Sequence, residues 1–85
     1  MPRFIIERHY ADRLEITKEE TAKIQRINDD VGVKWVFSFL SADKRKTYCL
    51  YEAESAEAIR EAARRANLPA DSIIEVDQIS PAMFA

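Results

Sequence analysis

One cysteine (Cys49), one glycine (Gly32) and one histidine (His9) are all that this 85-residue chain holds of those types. With a single thiol no intramolecular disulfide can form, so the fold must rest on packing. No apolar run approaches the ~20 residues that span a bilayer. The opening Met1-Pro2-Arg3-Phe4 lacks the apolar stretch of a secretory signal. A reducing, cytoplasmic setting without membrane insertion is the expectation. An excess of one charge is also missing: 13 basic and 15 acidic residues leave a net charge of −2. That balance excludes the strongly basic face with which a protein displaces counterions from nucleic acid.

What is present suits one folded domain, residues 1–85. The hydrophobic fraction of 47% is too high for disorder. A chain this short buries only roughly 60–65% of its unfolded surface, which makes association an obvious source of stability. No linker, low-complexity tract or tandem repeat interrupts it.

Phe4 to Tyr10 is short, β-branched and aromatic, and reads as strand one. Thr17-Lys18-Glu19-Glu20 is a capping box. The helix it opens carries Ile24, Ile27 and Val31 at helical spacing and stops at Gly32, suited to a left-handed cap. Val33 to Leu40 reads as strand two and Thr47 to Ala53 as strand three. The polar turn between them, Ser41 to Lys46, includes Lys44-Arg45-Lys46, a solvated run that discourages edge aggregation. Ser55 caps a second helix whose inner stripe is Ala56, Ile59, Ala62, Ala63 and Ala66, closed by Asn67-Leu68-Pro69. Ile73 to Ile79 is strand four, followed by an apolar tail, Ser80 to Ala85.

This order is β-α-β twice. It predicts an α+β, ferredoxin-like βαββαβ sandwich: a four-stranded antiparallel sheet in the order 4-1-3-2, with both helices on one face. The other face would alternate cleanly between apolar and polar residues if it met water. It does not alternate. Strand one sets Phe4 and Ile6 against Ile5; strand two sets Val33, Trp35, Phe37 and Phe39 against Val36 and Leu40; strand four sets Ile74 and Val76 against Ile73 and Ile79. Two helices can cover one face only, so a homodimer stacked through the other is expected, with Met83 and Phe84 of the tail free to lie across the partner.

If Phe4, Ile6, Ile74 and Val76 face the helices, Glu7, His9, Glu75 and Asp77 point to the open face from neighbouring strands. Imidazole with carboxylates is a ligand set for a divalent first-row metal such as nickel or zinc, and the same groups can act as a general acid-base pair. The plainer reading is a polar rim in which the acids pair with Arg3 or Arg8. Cys49 reads as a buried structural cysteine, with a thiolate ligand as the alternative. Trp35, Phe37 and Phe39 read as dimer core, with the wall of a ligand cavity as the alternative. Tyr48, Tyr51 and Glu52 stand nearby on strand three, on a parity the sequence does not fix. A catalytic N-terminal proline is set aside, because Met1 acylates the nitrogen of Pro2.

The stretch Val33 to Phe39, the block Thr47-Tyr48-Cys49-Leu50-Tyr51-Glu52-Ala53, the segments Ala58 to Ala63 and Leu68 to Asp71, and the opening Pro2-Arg3-Phe4 with Glu7-Arg8 resemble a family of small bacterial proteins of unknown function that includes nickel-binding, nickel-responsive members. The resemblance spans essentially the whole chain. It implies a ferredoxin-like fold, a dimer and a capacity for nickel binding; no organic cofactor is expected. Relatives often carry a histidine where this chain has Phe37, and some carry one where it has Ala63. Neither replacement can hold a metal, while His9 stands where relatives often have a smaller residue.

Three functions follow as expectations. The first is a dimeric metal-binding or metal-sensing protein using Glu7, His9, Glu75 and Asp77 without catalysis. The second is a dimeric α/β-barrel enzyme, an isomerase or cofactor-free oxygenase, acting on a small apolar ligand between the sheets. The third is an interaction domain with no pocket.

Overall fold

The computed structural model describes residues 1–84. Its elements run β1 (Arg3–His9), α1 (Lys18–Val31), β2 (Lys34–Leu40), β3 (Lys46–Glu52), α2 (Ala56–Ala66) and β4 (Ser72–Val76), then a 3-10 turn (Pro81–Phe84). The four strands form one antiparallel sheet in the order β2-β3-β1-β4, which is 4-1-3-2 read from the other edge. This is the ferredoxin-like α+β architecture. Among the described residues no helix is long and apolar enough to cross a membrane.

The helix boundaries follow from local chemistry. Thr17 accepts the amide of Glu20 at 3.1 Å, satisfying one of the orphan donors of the first turn of α1. Gly32 takes the left-handed conformation (φ 83°) and its N–H returns to the Asn28 carbonyl. Ser55 caps α2 through the amide of Ala58, and Asn67, at φ 55°, closes it.

Between helices and sheet lies the core. Phe4 and Ile6 of β1, Cys49 and Tyr51 of β3, and Ile59 and Ala62 of α2 form its centre. Cys49 is a buried free thiol.

Three details differ from the expectation, each for a physical reason. Strand β4 ends at Val76, because Val76 already pairs with Arg3, the first residue of β1, and no partner remains beyond it. Its register opposes Ile73 to Ile6 and Ile74 to Ile5. Residues opposite each other in an antiparallel pair share a face, so Ile73 packs on the core while Ile74 and Val76 lie on the open face, the reverse of the predicted parity. In β2 the pairing shifts between Trp35 and Phe37. This bulge at Val36 flips the alternation. Trp35 therefore turns to the helices and packs against the core, whereas Phe37 and Phe39 stay on the open face.

Candidate functional site

The open face is ordered in rows. Phe37, Leu50, Ile5 and Ile74 lie opposite one another straight across the four strands. Phe39, Tyr48, Glu7 and Ser72 form the next row, and His9 pairs with Lys46 beyond it. On the other side, Glu52, Arg3 and Val76 make a mixed row. An apolar band is thus flanked by polar residues at both ends. Much of that band is bare: Phe39 is 65%, Ile74 57% and Phe37 46% exposed. Phe37 and Phe39 meet edge to face with ring centres 5.3 Å apart.

Tyr48 and Glu52 of β3 belong to this open face; Tyr51 belongs to the buried one. A hollow of about 420 Å³ sits at the Arg3 end, floored by Ile5, Phe37 and Leu50 and edged by Arg3, Asp77 and Gln78.

Of the four proposed metal ligands, two are brought together. Glu7 and His9 are alternate residues of β1, so both project from the open face, and His9 Nε2 stands 2.6 Å from Glu7 Oε2. Both side chains remain accessible, at 37% and 46% exposure.

Glu75 and Asp77 are not part of that cluster. Glu75 opposes Phe4, so the register of β4 directs it to the helix side of the sheet. Asp77 follows the end of β4 beside Arg3, six residues along β1 from His9, about 20 Å at the ~3.3 Å rise of a strand. The physical cause is the one-residue slip of β4 relative to the predicted facing, which sends every side chain of the strand to the other side. Among the described residues no group of three or more His, Cys, Asp or Glu side chains stands close enough to hold a metal ion.

The arginines do not form the polar rim that was the plainer reading. Arg3 donates to Gln78 Oε1 at 3.3 Å. Arg8 lies under the helices, 2% exposed, and donates to the Pro69 carbonyl.

Asp71 is a neighbour of the Glu7–His9 pair that sequence reasoning missed. Its Oδ2 accepts the His9 amide at 2.7 Å, and its own amide donates to the Glu7 carbonyl. The segment Leu68 to Asp71 was visible only as part of a resemblance. Nothing in its local pattern tells that it clamps the end of β1.

A single protomer therefore offers one imidazole and one carboxylate to a cation, with Lys46 opposite His9. Two donors fall short of the three or four that a protein site commonly gives a divalent first-row metal. The donor types fit nickel; their number fits only if a second source adds to them.

The family model described as nickel responsive protein SCO4226-like matches residues 4–76. The chain belongs to this family. Among solved structures it is similar to SCO4226 from Streptomyces coelicolor A3(2), with a TM-score of 0.69 and 24% identity over 92% of this chain and 99% of that one. At that identity the likeness supports the fold alone. No curated protein matches the chain.

Proposed function

We propose that this family member works as a homodimer closed over the open sheet face, and that its Glu7–His9 pair takes a divalent metal ion such as nickel. The observation that carries the metal reading is the 2.6 Å approach of His9 Nε2 to Glu7 Oε2 on that face. A cation of this class would be held there by the Glu7 carboxylate and the His9 imidazole. A two-fold axis through the open face would pair one such site with its copy, turning two donors into four. The family's nickel-responsive description agrees with the ligand type. The apolar row Phe37, Leu50, Ile5 and Ile74, exposed at Phe37 and Ile74 and half-buried between them, supports the dimer, since an apolar patch of this kind commonly marks an interface. A reducing, cytoplasmic setting suits the free thiol of Cys49.

Calorimetric titration of the parent and of His9→Ala with nickel tests the metal. The parent should take about one ion per two chains, and His9→Ala should bind at least about tenfold more weakly. Equal and negligible heats in both would remove the proposal. Sedimentation tests the dimer separately: a monomeric mass at micromolar concentration would refute it.

One observation favours a second reading, an enzyme acting on a small apolar ligand between the sheets. The hollow at the Arg3 end, about 420 Å³, exceeds the ~300 Å³ at which ligand pockets begin. If the partner's side chains fill it in the dimer, that reading ends.

A further inference from the structure

On the opposite side of the sheet, between the helix-facing residues of β1, β2 and β3, the start of α1 and the loop before it, lies a second cavity of about 180 Å³. Leu14, Ile24, Trp35 and Leu68 line it, and Ile16 and Leu40, each nearly half exposed, stand at its mouth. Protein interiors are packed as densely as organic crystals and keep few voids larger than a water molecule. A space of this size on the core side of so small a domain calls for a reason.

The polar groups around it are engaged within the protein. Arg8, 2% exposed, donates to the Pro69 carbonyl and lies against the ring of Tyr51. The Tyr10 hydroxyl and Thr47 Oγ1 meet at 3.3 Å, and Trp35 Nε1 donates to Ser38 Oγ at 2.8 Å. The surface that these pairs leave facing the space is apolar. Water would find few partners there, and a charged ligand would lose its hydration without replacement. A second, independent observation concerns Trp35. With regular alternation it would share the open face with Phe37 and Phe39; the bulge at Val36 brings it to the cavity wall instead. Bulges commonly re-aim a side chain beside a site. Here β2 breaks its ladder with β3 to set its one indole against the cavity, and Ser38 fixes the ring by its nitrogen.

We propose that this cavity is a binding site for a small neutral aromatic molecule, a single ring without a charged substituent. The volume sets the size: an apolar cavity of about 150 Å³ is enough for a benzene ring. The lining sets the charge, and the Trp35 ring favours an aromatic partner, which it can meet edge to face or offset. The mouth at Ile16 and Leu40 lies on the helix side, so a dimer closed over the other face leaves it open. The site therefore stands independently of the metal and dimer reading.

Trp35, the only tryptophan, lines the cavity and reports on it through its indole N–H resonance. The full chain is titrated with toluene while that resonance is followed, and with benzoate and benzylammonium, which carry the same ring and a charge. Toluene should shift it saturably with a Kd of about 1 mM or tighter. Both ions should bind at least about tenfold more weakly. Nuclear Overhauser contacts should run from the toluene ring to Leu14 and Ile24. Leu14→Phe, which narrows the cavity, should weaken toluene by about fivefold or more, with Leu68→Phe in its place if that variant does not fold. No saturation at the solubility limit of toluene overturns the proposal. So do equal binding of the ions, contacts to Ile5 and Phe37 of the open face instead of Leu14 and Ile24, or unchanged affinity in a folded, narrowed variant.

Discussion

Along β1, Phe4, Ile6 and Arg8 are buried under the helices, while Ile5, Glu7 and His9 between them lie on the bare side of the same strand. The two faces of the sheet carry similar side chains yet are finished differently. The helix side is closed by Ile59, Ala62 and Ala63 of α2 and by Ile24 of α1. The other side carries an apolar row of its own, Phe37, Leu50, Ile5 and Ile74, and neither α1 nor α2 packs on it. The difference teaches where each face draws its stability: one from folding, the other, in the proposed dimer, from association.

The sharpest test of that division compares two isoleucines one strand apart. Ile6→Ala empties a fully buried site, with Ile6 at 0% exposure, and should cost about 3–4 kcal/mol in urea unfolding. Ile74→Ala, on the open face and 57% exposed, should cost less than about 1 kcal/mol when measured at a dilution that favours the monomer. Similar losses in both at that dilution would break the comparison, because they would mean that the open face is already covered within one chain.

Association supplies the next largest effect. Phe37→Asp places a charge in the middle of the apolar row without touching the core. It should weaken the dimer by about 100-fold or more, roughly 2.7 kcal/mol, while circular dichroism keeps the parent spectrum. Sedimentation velocity across a concentration series is the measurement. A dimer of undiminished affinity would show that the chains meet elsewhere.

The helices cover their face only while their ends hold. Thr17→Ala removes the side-chain oxygen that takes the Glu20 amide, and should cost about 1 kcal/mol. Thermal unfolding should show the loss equally in the parent background and in Phe37→Asp, since the cap belongs to folding and not to association. A loss confined to the dimer would connect the two faces in a way the division does not allow.

How much of this was legible in the sequence depends on where each face takes its instructions. Thr17, Gly32, Ser55 and Asn67 announce the helix ends by chemistry that acts over three or four residues, and each sits where expected. The alternation of Phe4 and Ile6 was enough to send Glu7 and His9 to the open face together. Strand β4 was harder, because Ile73 and Ile74 are adjacent and equally apolar, so either facing satisfies the pattern. Its register is settled by a distant clamp, Asp71 on the end of β1. That is why Glu75 and Asp77 were wrongly grouped with His9. The bulge at Val36 was hidden for the same reason: Trp-Val-Phe offers an apolar residue to whichever face turns up. Arg8 was missed because a charged side chain in a strand reads as solvated. The alternation that turns Phe4 and Ile6 to the helices turns Arg8 there too, and the Pro69 carbonyl receives its guanidinium.

The smallest effect should come from the outer surface of α2, which belongs to neither face of the sheet. Glu61 accepts hydrogen bonds from Arg64 Nε at 2.9 Å and Nη2 at 2.8 Å, and from Arg65 Nε at 2.6 Å. Arg64, then Arg65, hold its carboxyl down to about 2, below its ordinary value of 4.5. A carboxylate depressed in the folded state stabilises fully above its unfolded value, and the contribution fades as pH falls from about 4.5 through about 2. Glu61→Gln should therefore melt slightly below the parent at pH 7, by no more than a few degrees. The gap should narrow in high salt and close near pH 2. Melting curves of the two proteins at pH 7 and near pH 2, each with and without added salt, measure it. A gap that persists at low pH would assign the loss to packing of the side chain rather than to its charge, and would extend the influence of the buried face to a surface that otherwise answers to solvent.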